Sequence, residues 1–113
     1  MRMEESMIEI YLLSDDERSE WEAVQKEYRN DVIVYCNDSF FHLNIYTPLR
    51  LTQDFETEIE NYGFYAVDEN MILVPDTDRK TVIFTILKLY EAKYFDKIKS
   101  FICEDKEKLV QIY

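Results

Sequence analysis

Apolar residues recur along this chain with two different periods, and each switch between them marks an element. From Met7 to Leu13 they alternate, with Ile8, Ile10 and Leu12 on one face, which predicts a strand. Ser14-Asp15-Asp16-Glu17 then matches a capping box, in which a hydroxyl and a carboxylate satisfy reciprocal backbone donors. The predicted helix runs to about Arg29, with Trp21, Val24 and Tyr28 as its buried stripe, and Asn30-Asp31 ends it. Val32 to Cys36 is a β-branched strand, Asn37-Asp38-Ser39 a turn, and Phe40 to Thr47 the returning strand. In that strand Phe41, Leu43 and Ile45 share one face, and His42, Asn44 and Tyr46 the other.

Thr47-Pro48 reads as a helix start, a hydroxyl cap followed by proline at the first helical position. Leu51, Phe55, Ile59 and Tyr62 continue a helical stripe, and Gly63 supplies a left-handed cap. Met71-Ile72-Leu73-Val74 is a short apolar run that predicts a buried strand, stopped by Pro75. Asp76-Thr77-Asp78 caps the next helix, with Val82, Ile83, Ile86, Leu87 and Tyr90 facing inward. Tyr94-Phe95, Ile98 and Ile102 extend the pattern as a second short helix, and Lys108 to Tyr113 suits either a helix end or a small strand.

The order is therefore β-α-β-β-α-β followed by a helix, an α+β fold. A ferredoxin-like sandwich is the first expectation. A related antiparallel sheet with another strand order and helices on one face is the second. Residues 1–113 form a single domain without repeats or linkers, and 1–6 are polar and expected to be disordered.

Composition narrows the chemistry. A lone glycine cannot build a phosphate-cradling loop, and a lone histidine, His42, cannot form a histidine metal site. Twenty-four acids against 13 bases give a net charge of −11, which opposes binding to nucleic-acid phosphates. The charge is uneven: residues 1–63 hold 15 acids and 5 bases, residues 64–113 hold 9 and 8. No segment approaches the ~18 apolar residues of a membrane span, and no export signal is visible, so a cytoplasmic location is expected. Cys36 and Cys103 belong to no C-x-x-C pair and read as small apolar groups in a reducing compartment, with a disulfide between them left open.

Candidate chemistry is sparse. His42 lies mid-strand on the polar face, with no nucleophile or orienting carboxylate placed beside it by sequence. Asp15, Asp16, Glu17 and Glu20 cluster, but capping explains the first three. Asp76-x-Asp78 begins like a calcium loop yet has Thr81 and Leu87 where that loop needs Gly and Glu. No catalytic, cofactor or metal residue is assigned. Asp54, Glu56, Glu58 and Glu60 suit either a solvated helix face or a surface steering a basic partner, and Glu20 and Glu27 offer a second acidic helix. Tyr46 and Tyr65 join these as candidate partner-binding residues, since tyrosine combines apolar area with a hydroxyl at interfaces.

Phe41-His42-Leu43-Asn44-Ile45-Tyr46-Thr47-Pro48-Leu49-Arg50-Leu51 runs an alternating strand straight into a Thr-Pro helix start. This segment resembles the bacterial toxin-immunity family called immunity protein 8. Met71 to Val74, the helix after Asp76, and Tyr94-Phe95 extend the resemblance over roughly residues 40–98. It implies a cytosolic protein that binds and neutralises a cognate toxin domain of a polymorphic or contact-dependent inhibition system, with no catalytic residues to carry over. Against a basic nuclease toxin, the acidic half would steer encounter and cover the substrate groove. Two other readings remain: a cytosolic protein-interaction or regulatory module without a toxin partner, and an enzyme using carboxylates such as Asp54 and Glu58. The toxin's identity and the oligomeric state are left open.

Overall fold

A computed structural model of the chain describes residues 7–14 and 16–113. The expectation for residues 1–6 and the Asp15 member of the capping cluster lie outside the described residues. The elements are β1 (Ile8–Leu12), α1 (Glu17–Lys26), β2 (Tyr28–Cys36), β3 (Ser39–Tyr46), α2 (Pro48–Tyr62), β4 (Met71–Leu73), α3 (Arg79–Glu91) and β5 (Val110–Gln111). Short 3-10 turns at Tyr94–Asp96 and Lys106–Lys108 fill the carboxy-terminal stretch.

The result is an α+β fold with helices packed on a five-stranded mixed sheet of order β4-β3-β2-β1-β5. That order corrects the ferredoxin-like expectation. A split βαβ arrangement inserts a strand between the two that flank each helix. Here β1 and β2 are direct antiparallel neighbours across α1, and β3 and β4 are direct parallel neighbours across α2. The parallel pair also makes the sheet mixed rather than wholly antiparallel. It requires a crossover, which residues 47–70 provide, because parallel strands cannot be joined by a hairpin.

The β2–β3 hairpin turns on Asn37 and Asp38, both at positive φ (54° and 59°), as a two-residue turn matched to strand twist demands. Alternation places Ile8, Ile10, Leu12, Val32, Val34, Cys36, Phe41, Leu43 and Ile45 on one buried face. Val82 and Ile86 of α3, with Val74 and Phe95, close that face. Ile83, Leu87 and Tyr90 pack beside them as the spacing predicts. Ile102 does not follow the pattern and is exposed. β4 is an outer strand and only Val74, just past it, is fully buried, so the apolar run 71–74 marks a sheet edge rather than a central strand.

α1 departs from its predicted form at both ends. Asp16, not Ser14, is the cap: its carboxylate accepts from the Ser19 backbone N–H at 2.7 Å. That bond, followed by the Ser19 side chain, holds the Asp16 carboxyl below its ordinary value. At the other end Glu27 takes a left-handed conformation (φ 56°) and donates its N–H to the carbonyls of Ala23 and Val24, stopping the helix three residues before Asn30. Tyr28 and Arg29 therefore belong to β2. The predicted stripe shifts with them: Ala23 is the buried residue of α1, and Trp21 is 63% exposed.

Arg29 then becomes the tie between α1, β2 and the start of α3. Its side chain is buried and donates Nε and Nη2 to Asp31 (2.8 and 3.0 Å), and Nη1 to Glu20 Oε1 and the Thr77 carbonyl (both 2.9 Å). Glu20 Oε2 accepts from the Arg79 backbone N–H at 2.7 Å, and the Thr77 hydroxyl donates to the Ala23 carbonyl at 2.9 Å. Burial alone would lower the Arg29 pKa; the hydrogen bonds and charge of Asp31, and then of Glu20, outweigh it and hold the group above its ordinary value. A bulge lets Asp31 reach back to Arg29, since Asn30 and Asp31 lie opposite the single residue Asn44.

Candidate functional site

α2 is built as its sequence predicts. Thr47 caps it, its hydroxyl accepting from the Arg50 N–H at 3.3 Å, Pro48 opens it, and Gly63 (φ 83°) ends it. The placement of the helix is unexpected. α2 contributes no buried residue, and its apolar stripe faces outward, with Phe55 51%, Ile59 40% and Tyr62 67% exposed. The core face is already closed by α3 and Phe95, which leaves this stripe no place in it.

The helix is anchored through its first turn. The Thr47 hydroxyl donates to Glu27 Oε1 at 2.7 Å, and the Thr47 N–H to the Glu27 carbonyl at 3.1 Å. Arg50 donates to the Lys26 carbonyl and to Asp54 (both 3.0 Å), and its guanidinium lies 5.1 Å from the Tyr28 ring centroid. Tyr28 in turn packs on Tyr46, with ring centroids 4.6 Å apart. The Tyr46 hydroxyl donates to Asp68 Oδ2 at 2.7 Å. Burial, followed by its bonds with Asp68 and Tyr65, pushes the Tyr46 hydroxyl well above its ordinary value. The loop after α2 is thereby fastened to the sheet, and the Asn44 amide adds a bond to the Glu69 carbonyl at 2.9 Å.

The candidate partner-binding residues thus separate into two groups. Glu20 is absorbed by the Arg29 network, Glu27 by the α1 cap and Thr47, and Tyr46 is buried; Tyr65 sits beside it. Asp54 is paired with Arg50. Glu56, Glu58 and Glu60 make no hydrogen bond or ion pair among the described residues and lie along α2. Division of the chain at residue 63 hides the sharper signal: residues 51–78 contain eight acids and no Lys, Arg or His. The same stretch is rich in exposed apolar residues, with Phe64, Val67 and Leu73 extending the set beyond the helix. Sequence alone could have shown the base-free run, but not that the stripe inside it faces solvent.

A concavity of about 510 Å³ lies on the side of the sheet away from the core, between His42, Asn44, Asp68 and the Lys99–Phe101 segment. The His42 Nε2 donates to the Asn30 carbonyl, and the ring lies near Phe101 at 6.1 Å between centroids. Among the described residues no carboxylate orients the imidazole, so the ring is held as a packing and hydrogen-bonding group. Nor is any cluster of three described His, Cys, Asp or Glu residues placed to hold a metal. Cys36 and Cys103 are free thiols, and burial, followed by the charge of Asp96, pushes the Cys36 thiol up to about 11. It is therefore protonated, not nucleophilic, at neutral pH. Among the described residues no helix is long and apolar enough to cross a membrane.

Compared with known proteins, the chain matches no family model, no curated protein and no solved structure.

Proposed function

We propose that this chain is a protein-binding module that captures a basic protein domain on α2 and the loop behind it. The partner implied by the resemblance of residues 40–98 is a bacterial toxin domain, which the bound module neutralises. One observation carries the reading: a helix anchored at its first turn presents apolar side chains to solvent within a stretch of eight acids and no bases. Monomeric proteins bury such stripes, and an exposed one rimmed by polar residues marks a binding surface. The acids would accelerate encounter with a positively charged partner, while apolar contact would hold the complex.

The test is co-expression with the toxin domain encoded by a neighbouring gene. Growth rescue and co-purification, with an association rate that falls steeply with salt, support the reading. Binding of a basic protein without rescue would make the chain a regulatory module instead. A salt-independent association rate would remove the acidic surface from the mechanism.

A further inference from the structure

Leu51, Phe55, Ile59 and Tyr62 fall within an arc of about 80° at 100° per residue, a ridge roughly 17 Å long. Glu58 and Asp54 border that ridge on one side and Glu56 on the other, while Glu60 lies across the helix from it. An apolar seam flanked by charge is how paired helices choose partners: the seam supplies contact and the flanks decide which helix is accepted. We infer that α2 is one half of a helix–helix interface, and that its occupant is an amphipathic helix of a partner protein with Lys or Arg flanking its apolar face.

Charge decides between this occupant and a second copy of the chain. A symmetric pairing of α2 with itself would bring the unpaired flanking acids Glu56 and Glu58 of one copy against those of the other, with no base anywhere in residues 51–78 to offset them. Arg50 is no remedy, because it is engaged with Asp54, the Lys26 carbonyl and the Tyr28 ring. A basic helix instead gains apolar burial and sets its flanks against Glu58 on one side and Glu56 on the other, neither of which has a bond among the described residues. Ridges packed into grooves would place the two axes about 8–10 Å apart.

The inference deepens the protein-binding reading and rests on it, but its probe contains no toxin. The full chain is titrated with a synthetic Leu/Lys amphipathic helix of about five turns while backbone amide resonances are followed by NMR. The same titration is repeated with a Leu/Glu peptide of the same pattern. Shifts confined to residues 51–67 are expected for the Leu/Lys peptide, and none for Leu/Glu. The Phe55→Ser/Ile59→Ser double variant, whose charge is unchanged and whose fold is checked by urea unfolding, should bind at least tenfold more weakly. Equal binding by that variant, or shifts centred outside residues 51–67, would overturn the inference. So would sedimentation showing a wild-type dimer that Ile59→Ser dissolves. Failed growth rescue with intact peptide binding would sink the toxin reading alone; lost peptide binding with intact rescue would sink the helix–helix interface alone.

Discussion

Replacing Asp31 by Asn isolates the energetics of the Arg29 network. The Arg29 side chain is 1% exposed, whereas those of Asp31 and Glu20 are 18% and 26% exposed. An asparagine amide in place of the carboxylate would keep one acceptor for the guanidinium. It would lose the charge and turn its own donors toward those of Arg29. A hydrogen bond to a charged group contributes about 1.5–3 kcal/mol, and a buried guanidinium left with Glu20 as its one remaining carboxylate recovers less of its desolvation cost. Asp31→Asn should therefore cost about 3 kcal/mol, lowering Tm by roughly 10–15 °C in a domain of this size. Arg29→Met leaves two carboxylates that water can reach, and should cost only about 2 kcal/mol. Combining the two changes removes the under-compensated buried charge, so the double variant should be more stable than Asp31→Asn alone. Urea unfolding with unchanged m-values reads all three. Additive losses near 5 kcal/mol, or a cost below about 1 kcal/mol for Asp31→Asn, would refute the assignment of the network as a buried, charge-compensated tie.

Three further outcomes follow from the packing. Ile86→Ala should cost about 3 kcal/mol by opening the core, while Ile59→Ala on the exposed stripe should stay within about 0.5 kcal/mol; equal losses in a urea titration would mean that α2 packs on the domain. Gly63→Ala meets open space but must hold φ at 83°, so calorimetry should show a loss of about 1 kcal/mol from backbone conformation alone. Burial raises the hydroxyl pKa of Tyr46 and Tyr28, and of Tyr11 to about 12, from an ordinary value near 10. These groups stay protonated in the fold while the unfolded chain ionises, so their stabilisation is complete below about pH 10 and is lost as pH rises through the folded values. Tyr46→Phe should flatten part of that alkaline decline in the urea midpoint, and an unchanged slope would reject its share.

The legible parts of the fold are those where local chemistry and tertiary context agree. Thr47-Pro48 and Gly63 bound α2 as predicted, and the Asn37-Asp38 turn and the α3 stripe are where their patterns place them. Misreadings arise where a local pattern has no means of reporting its surroundings. Tyr28 continues the helical spacing of Trp21 and Val24, but Glu27 adopts a left-handed cap without being glycine, and the strand begins there. Strand order is hidden because β3 pairs with β4 across the whole of α2 and its following loop, a non-local choice that no spacing encodes. The candidate site is half visible. Its acids stand in the sequence, whereas the outward direction of Phe55, Ile59 and Tyr62 depends on what else closes the core.

The short outer strands bear on how these molecules behave when concentrated. β4 has three residues and β5 has two, so the sheet offers few unpaired peptide groups on which another chain could add as a strand. Adhesiveness resides instead on a helix, whose backbone bonds are internally satisfied. At neutral pH a charge of −11 keeps copies apart; toward the pI near 4.4 that repulsion fades. Association near that pH should then join native molecules through α2, reverse on re-ionisation, and leave no cross-β signature. The exposed apolar surface of α2 is thus segregated from the part of the fold that could template a fibre.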